Sequence, residues 1–325
     1  MATATWIVDQ VESRLRDEPE CKLSILMSDL LKKYGLNVKY HKAWRGKEIA
    51  LERIFRSYEY SYSMVPTWCF KILRTKYSLE GQHQFHRFFI SFAACCFAFL
   101  SGCHQFIGLD GCHLKGKYKG TLLSAIALNG NNGIILVAFA VVEVETKDSW
   151  FTFLEQLRDS INSDQVTFLS DRQKGLTESV QAVFPKAHHR FCVRHMYKNF
   201  QKEHEGLLRR NIFWRAARAY TIYEFNKEME KLKELSPQAC AWCDAVPPYQ
   251  WSRAYFNEDV KCKELTNNFS ESWNNFIVSA RAQPICDPVG VIRRKLMVKF
   301  HDRRKESNAW ENVIVKQVDE MKRLN

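Results

Sequence analysis

Along the chain, the pattern of apolar and polar positions marks a helical start, a strand-rich centre and a helical end. In residues 1–58, Glu12 and Leu15 and then Leu23 to Tyr34 follow helical spacing, with Gly35-Leu36-Asn37 as a stop; KYHKAWRGKEIALERIF continues in a basic helical style. Residues 62–100 hold Pro66 and aromatic-rich stretches, which predict short helices packed on something larger. The apolar run Phe88 to Leu100 is too short to span a bilayer and reads as a buried helix. Near residue 105 the period changes. FIGLDGCHL (106–114) and TLLSAIAL (121–128) have strand character, and Asn129-Gly130-Asn131-Asn132-Gly133 is a hairpin signal, because Asn and Gly tolerate positive φ. IILVAFAVVEV (134–144) is apolar enough for a strand buried on both faces. A helix follows, capped by Asp148 or Ser149, with Phe151, Leu154, Leu157 and Ile161 on one stripe. Val166 to Ser170 is a fourth strand and Leu176 to Phe184 a helix ended by Pro185; His189 to Cys192 is a fifth strand, running into a helix near Tyr197.

The order β-β-β-α-β-α-β-α, three hairpin-linked strands followed by parallel crossovers, is that of an RNase H-like mixed α/β sheet. A Rossmann reading fits less well, since no Gly-rich turn and helix follow the first strand. Residues 201–262 are rich in Lys, Glu, Trp and Tyr, are broken by Pro247-Pro248, and read as a helical insertion. Residues 263–325 return to helices, LTNNFSESWNNFIVSA and PVGVIRRKLMVKFHDRRK, before a charged tail. The expected organisation is therefore a helical region over 1–100, the first part of the core over 101–200, the insertion, and core-completing helices with the tail.

Composition narrows the partners. Lys and Arg number 48 against 36 Asp and Glu, a net charge of +12 that suits a polyanion. The 11 cysteines are irregularly spaced, and the N-terminus MATATWIVDQVESRLRDEP has no apolar core region, so reduced intracellular thiols are expected.

Three acids stand out. On a strand, Phe106, Gly108, Asp110 and Cys112 share one face and Ile107, Leu109 and Gly111 the other. A carboxylate inside such an apolar strand is costly unless paired or bound to a metal; the alternative is an edge strand or a turn at Asp110-Gly111. Asp171 closes VTFLS where a helix follows; ligand sites gather at the carboxyl ends of strands, but a helix N-cap is as ordinary a role. Glu271 lies in a helix whose apolar stripe is Phe269, Trp273, Phe276, Ile277 and Ala280, with Asn268, Glu271 and Asn275 opposite, lining either a cleft or bulk water. Three carboxylates suit hard cations such as Mg²⁺ or Mn²⁺, and two such ions can hold both the attacking and leaving oxygens of a phosphoryl displacement. Lys115, Lys117, Lys119, Arg172 and Lys174 flank the first two acids as candidate phosphate contacts or as ordinary solvated charge. Cys192 and His195 have metal-ligand spacing but form only half a zinc site, so a structural pair and a metal role stay open. Cys240 and Cys243, in a helical stretch, read as core, and core packing is the better reading for most of Trp214, Trp242, Trp251 and Tyr255.

Taken together, FIGLDGCHLKGKYKGTLLSAIALNGNNGIILVAFAVVEVETKDSW, FLSDRQKGL, HHRFCVRHMYKNF and LTNNFSESWNNFI resemble, in order, the blocks of plant Mutator-like (MULE, MuDR-type) DNA transposases over roughly residues 35–305. The resemblance implies an RNase H-like core with a helical insertion before the final Glu. Its Asp-Asp-Glu set falls on Asp110, Asp171 and Glu271, 61 and 100 residues apart, and its C-x-x-H signature on Cys192 and His195. It implies cleavage at element ends with two Mg²⁺ (or Mn²⁺) ions, then attack of a freed 3′-hydroxyl on target DNA. Double-stranded DNA is the implied partner, the nucleus the implied location, and a homo-oligomer is compatible; zinc has no support and no membrane role is expected. Relatives commonly have Thr where Cys112 stands, and commonly add an N-terminal zinc-type DNA-binding module and a C-terminal SWIM zinc finger. Neither module is seen in these 325 residues. That keeps a second expectation open: a domesticated, non-catalytic DNA-binding or regulatory protein, similar to the transposase-derived far-red-response factors of plants.

Overall fold

The computed structural model describes residues 3–19, 21–55, 77–80, 84–115, 119–256, 260, 262–283 and 286–308. It begins with α1 (Ala4–Asp17), α2 (Leu23–Tyr34) and α3 (Tyr40–Phe55), which bury Ile7, Val11, Leu15, Leu26, Leu30 and Leu51 in a core of their own. Gly35 stops α2 in the left-handed conformation, at φ 65°, where its N–H reaches Leu31 O.

The next elements correct the expectation of short helices over 62–100. β1 (Tyr77–Glu80) and β2 (Gln84–Ser91) are antiparallel strands of the main sheet, and α4 (Ala93–Gly102) is the helix among the described residues there. The run Phe88 to Leu100 is thus strand first and helix second. Phe88 and Ile90 are buried on one face of the sheet and Phe89 on the other, so the strand shows no alternation and looks like any other apolar run. Pro66 lies outside the described residues.

From residue 103 the expected order is present: β3 (Cys103–His113), β4 (Thr121–Asn129), β5 (Ile134–Val142), α5 (Lys147–Ile161), β6 (Thr167–Ser170), α6 (Lys174–Val183), β7 (His188–Phe191) and α7 (Val193–Glu203). The seven strands form one mixed sheet in the order β1-β2-β5-β4-β3-β6-β7. β3, β4 and β5 are joined antiparallel; β6 runs parallel to β3, and β7 parallel to β6. The cap of α5 is Thr146, not Asp148 or Ser149. Thr146 Oγ1 accepts the Ser149 N–H at 3.2 Å while Ser149 Oγ accepts the Thr146 N–H at 2.8 Å, a reciprocal box that puts Asp148 and Ser149 inside the helix.

Alternate residues of the strands supply two cores. Ile107, Leu109, Leu123, Val137 and Phe168 pack with Trp150, Phe153, Leu157 and Val180 of the crossover helices. Phe106, Cys112, Leu122, Ile126 and Leu169 pack on the opposite face, which is covered by chain from much later in the sequence. Before that chain returns, α8 (Leu207–Arg218), α9 (Ile222–Leu235) and α10 (Pro237–Asp244) add helices and no strand. They close around Phe200, Phe213 and Trp251, the last two stacked at 5.4 Å; Cys240 and Cys243 are buried there. The chain then comes back over the sheet as α11 (Asn268–Phe276) and α12 (Cys286–Asn308). No helix among the described residues is long and apolar enough to cross a membrane.

Candidate functional site

Asp110 sits near the carboxyl end of β3, on the face that α11 covers. Gly108, two residues earlier on that face, makes this cover close: a Cβ there would lie 2.4 Å from Asn267 Oδ1 and from the Phe269 ring. Buried Asn267 fixes the approach. Its Nδ2 donates to Leu109 O at 2.9 Å, its backbone N–H reaches Cys192 Sγ at 3.3 Å, and its Oδ1 accepts from Ser270 Oγ at 2.7 Å. Two helical turns onward, Asn274 Nδ2 donates to Asp110 Oδ2 at 2.8 Å, while the Gly111 N–H reaches Asp110 Oδ1 at 3.1 Å.

Asp171 follows the last residue of β6, the parallel neighbour of β3. The register pairs Gly108 with Leu169, so two further residues along each strand bring Asp110 and Asp171 level, on chains about 4.8 Å apart. The electrostatics agree. Burial, then the charge of Asp171, push the Asp110 carboxyl up to about 7; Glu145 adds to this, while the Gly111 N–H and His195 oppose it. Asp171 itself accepts the Gln173 N–H at 3.4 Å, the short loop bond of an Asp at a helix start.

Glu145 is the member that sequence reasoning missed. It lies just past β5, and its Oε2 is 2.9 Å from the point a Gly111 Cβ would occupy. Burial raises its pKa, the Trp150 N–H bond lowers it, and Asp171 raises it again. The Trp150 indole N–H is shared between Glu145 Oε1 at 3.1 Å and Gln173 Oε1 at 2.9 Å. The available signal was position: an acid just before a helix cap, past a strand's carboxyl end.

Glu271 is placed differently. It stands in the first turn of α11, one turn before Asn274, and its Oε2 takes an ion pair from Arg194 at 2.7 Å; Arg194 also donates to Asn268 at 3.1 Å. The buried stripe of α11 is Phe269, Ser270, Trp273 and Ile277, with Phe276 on the exposed side, which corrects the apolar stripe expected from spacing. Among the described residues no group of three His, Cys, Asp or Glu side chains is gathered as a metal chelate.

Cys192 and His195 bracket the first turn of α7. Burial works to raise the Cys192 thiol, but hydrogen bonds from His195 and the Asn267 N–H outweigh it, and the thiol is lowered. The Cys192 sulfur in turn raises His195 against burial, with Asp171 adding to the rise. The pair thus ties β7 to the segment that leads into α11. Of the candidate phosphate contacts, Lys115, Lys119, Arg172 and Lys174 are exposed, and Lys117 lies outside the described residues. Arg172, next to Asp171, lies 5.8 Å from both the Phe191 and the Trp242 rings. Trp251 is buried, while Trp214, Trp242 and Tyr255 pack half-buried on the same helical core.

Residues 106–199, from β3 into α7, match the MULE transposase domain family. The chain is also 25% identical over 160 residues, 48% of its own length, to Protein FAR1-RELATED SEQUENCE 6 of Arabidopsis thaliana, of which it spans about a fifth (22%). Over the strands and helices that carry Asp110, Asp171 and the Cys192–His195 pair, the chain is thus similar to the MULE transposase domain family.

Proposed function

We propose that this chain carries the catalytic core of a DDE-type DNA transposase on an RNase H-like fold. The strand order supports the fold: a three-stranded hairpin unit extended by two parallel strands. The observation that carries the function is the levelling of Asp110 with Asp171 on neighbouring parallel strands, with burial and mutual repulsion holding Asp110 near neutral pH. Such a pair has a surplus of negative charge that a hard divalent cation relieves, so the oxygen donors fit Mg²⁺ or Mn²⁺. Asp110, Asp171 and Glu271 are the residues that would hold two ions, which when bound supply Lewis-acid activation and charge neutralisation at a phosphodiester. Asn274 and the Gly111 N–H orient Asp110. Glu145 adds negative charge beside it, and Glu271 joins by exchanging Arg194 for the site. The exposed Lys115, Lys119, Arg172 and Lys174 are suited to phosphates of double-stranded DNA, at transposon ends and target, in a nuclear, oligomer-compatible setting.

The test is cleavage of element-end DNA with Mg²⁺ or Mn²⁺. Wild type cleaves, and Asp110→Asn, Asp171→Asn and Glu271→Gln each abolish cleavage. A second readout does not need turnover: Mn²⁺ raises the thermal midpoint of wild type and leaves that of Asp110→Asn unchanged. Cleavage that survives in Glu271→Gln would remove the glutamate from the set. A second reading has its own observation: the Glu271–Arg194 ion pair and the lack of a gathered three-ligand group among the described residues suit a domesticated DNA-binding protein. DNA binding with no cleavage under any divalent metal would favour it.

A further inference from the structure

Helix α12 carries charge that the proposed site does not use. Between residues 293 and 305 stand seven basic residues against one acidic, half of the chain's net charge of +12. The helix has two sides. Val289, Ile292 and Leu296 are buried on the sheet, with Phe300 packed beside them. Lys295 Nζ donates to Phe276 O at 2.5 Å, and Arg303 Nη2 donates to Ile134 O at 3.1 Å, so these two inward-leaning cations hold the helix down. The other side faces out: Arg293, Arg294, His301, Arg304 and Lys305 are exposed, with Met297 and Val298 between them at 58% and 60% exposure. Spacings of three and four place these residues on one stripe. Among the described residues no carboxylate makes an ion pair with it.

The stripe also has a direction. Its start lies beside α11, where Lys295 and Lys299 stand 4.5 and 5.6 Å from the ring of Phe276, two residues beyond the Asn274 that holds Asp110. Its end reaches the β4–β5 turn, at the opposite end of the strands from Asp110. It therefore leads away from the acid pair across the molecule.

We propose that the outward stripe of α12 is a binding surface for the phosphate backbone of double-stranded DNA, a reading that rests on the transposase function above and adds the surface that holds the flanking duplex. From Arg293 to Lys305 the helix rises roughly 18 Å, the length of about five phosphates of one strand at 3.4 Å per step. A lipid surface is the poorer occupant, because an interfacial helix must offer an apolar face and that of α12 is already buried on the sheet.

The experiment uses the 325-residue chain and a labelled random-sequence DNA duplex, with affinity measured by fluorescence anisotropy across a salt series. The variant is Arg293→Gln with Arg294→Gln, Arg304→Gln and Lys305→Gln; it leaves Lys295, Lys299 and Arg303 in place. The expected result is an affinity loss of more than about tenfold and a salt-dependence slope smaller by roughly 3–4, near 0.9 for each phosphate contact removed. Should the quadruple variant lose helicity by circular dichroism, Arg294→Glu and Arg304→Glu replace it, each lowering the slope by about one. Wild-type affinity and slope in a folded variant overturn the proposal. So does salt dependence that disappears only on replacing Lys115, Lys119, Arg172 and Lys174. Loss of binding to anionic-lipid vesicles with DNA affinity intact also overturns it. Asp110→Asn separates the two proposals, since it stops cleavage and keeps the wild-type slope. Binding through α12 without cleavage in wild type sinks the nuclease alone, and cleavage with an unaffected α12 variant sinks this surface alone.

Discussion

The two faces of the sheet are made of alternate residues of the same strands, yet they are closed in different ways. On one face α5 and α6, the helices of the two crossovers, bury Trp150, Phe153, Leu157 and Val180 against Ile107, Leu109 and Phe168. That closure is local in sequence and almost wholly apolar. On the other face the cover is α11 and α12, which return after the helical insertion, and their docking is partly polar: Asn267 on Leu109 O and Asn274 on Asp110. An unpaired charge is costly inside an apolar closure. A polar closure can hold one at a set orientation, so the acid with the strongly raised pKa lies beneath α11. The first face is closed by apolar packing, and the second by polar contacts that fix the orientation of an acid.

If that division is right, the largest stability effect belongs to the crossover face. Phe168→Ala removes a ring that meets Phe184 edge-on at 4.9 Å in a fully buried setting. It is expected to cost about 3–5 kcal/mol in urea denaturation while leaving the pH dependence of stability as in wild type. A comparable loss accompanied by a changed pH profile would mean that the faces are not separable.

Next is Gly108→Ala, a test of the polar closure. The added methyl would meet Asn267 Oδ1 and the Phe269 ring at 2.4 Å, and neither is the free end of a flexible chain. α11 must shift outward, at about 1–3 kcal/mol, and Asn274 moves with it. Denaturation gives the stability, and loss of protection at the Asn267 and Ser270 amides in hydrogen exchange locates the shift at α11.

How much of this was legible in the sequence follows the same division. β3 to β7 and the crossover helices were readable because each hairpin and each amphipathic stripe is settled within a few dozen residues. β2 was not: with Phe88, Phe89 and Ile90 buried on both faces, its period disappears, and its place in the sheet is set by pairing with β5, some fifty residues later. Asp110 stood out as a carboxylate inside an apolar strand and Asp171 as the residue that closes one. Glu145 was missed because it stands in a loop and becomes part of the acid group only through Trp150 and the nearness of Gly111. The pairing of Glu271 with Arg194, 77 residues apart, and the contact of Asn274 with Asp110, 164 apart, are tertiary facts that no local pattern encodes.

A third prediction reads the charge directly. Asp110 titrates near 3.8 when unfolded and at about 7 when folded, so between those values the folded protein binds the extra proton. Stability contributed by this group is therefore full below about pH 4 and declines as pH rises to about 7. Asp110→Asn, which cannot ionise, should lose that slope and gain on wild type at pH 8. Parallel pH profiles for the two proteins would show that Asp110 is solvated and that the polar closure does not shield it.

The smallest effect concerns a side chain that ties the crossover core to the loops beside the acids. Trp150 belongs to the crossover core by its ring, but its N–H is shared by Glu145, after β5, and Gln173, after Asp171. Trp150→Phe keeps most of the apolar volume and removes that donor, leaving two acceptors on partly open loops that water can reach. The expected loss is about 0.5–1.5 kcal/mol, the net value of one such bond, because little desolvation is left unanswered. The diagnostic readout is the pairing of loops. With Glu145→Gln as the second mutation, the double variant should be less destabilised than the sum of the two singles, since both act on one bond. Strict additivity would mean that the indole N–H holds neither loop, and that the crossover face has no part in arranging the acids.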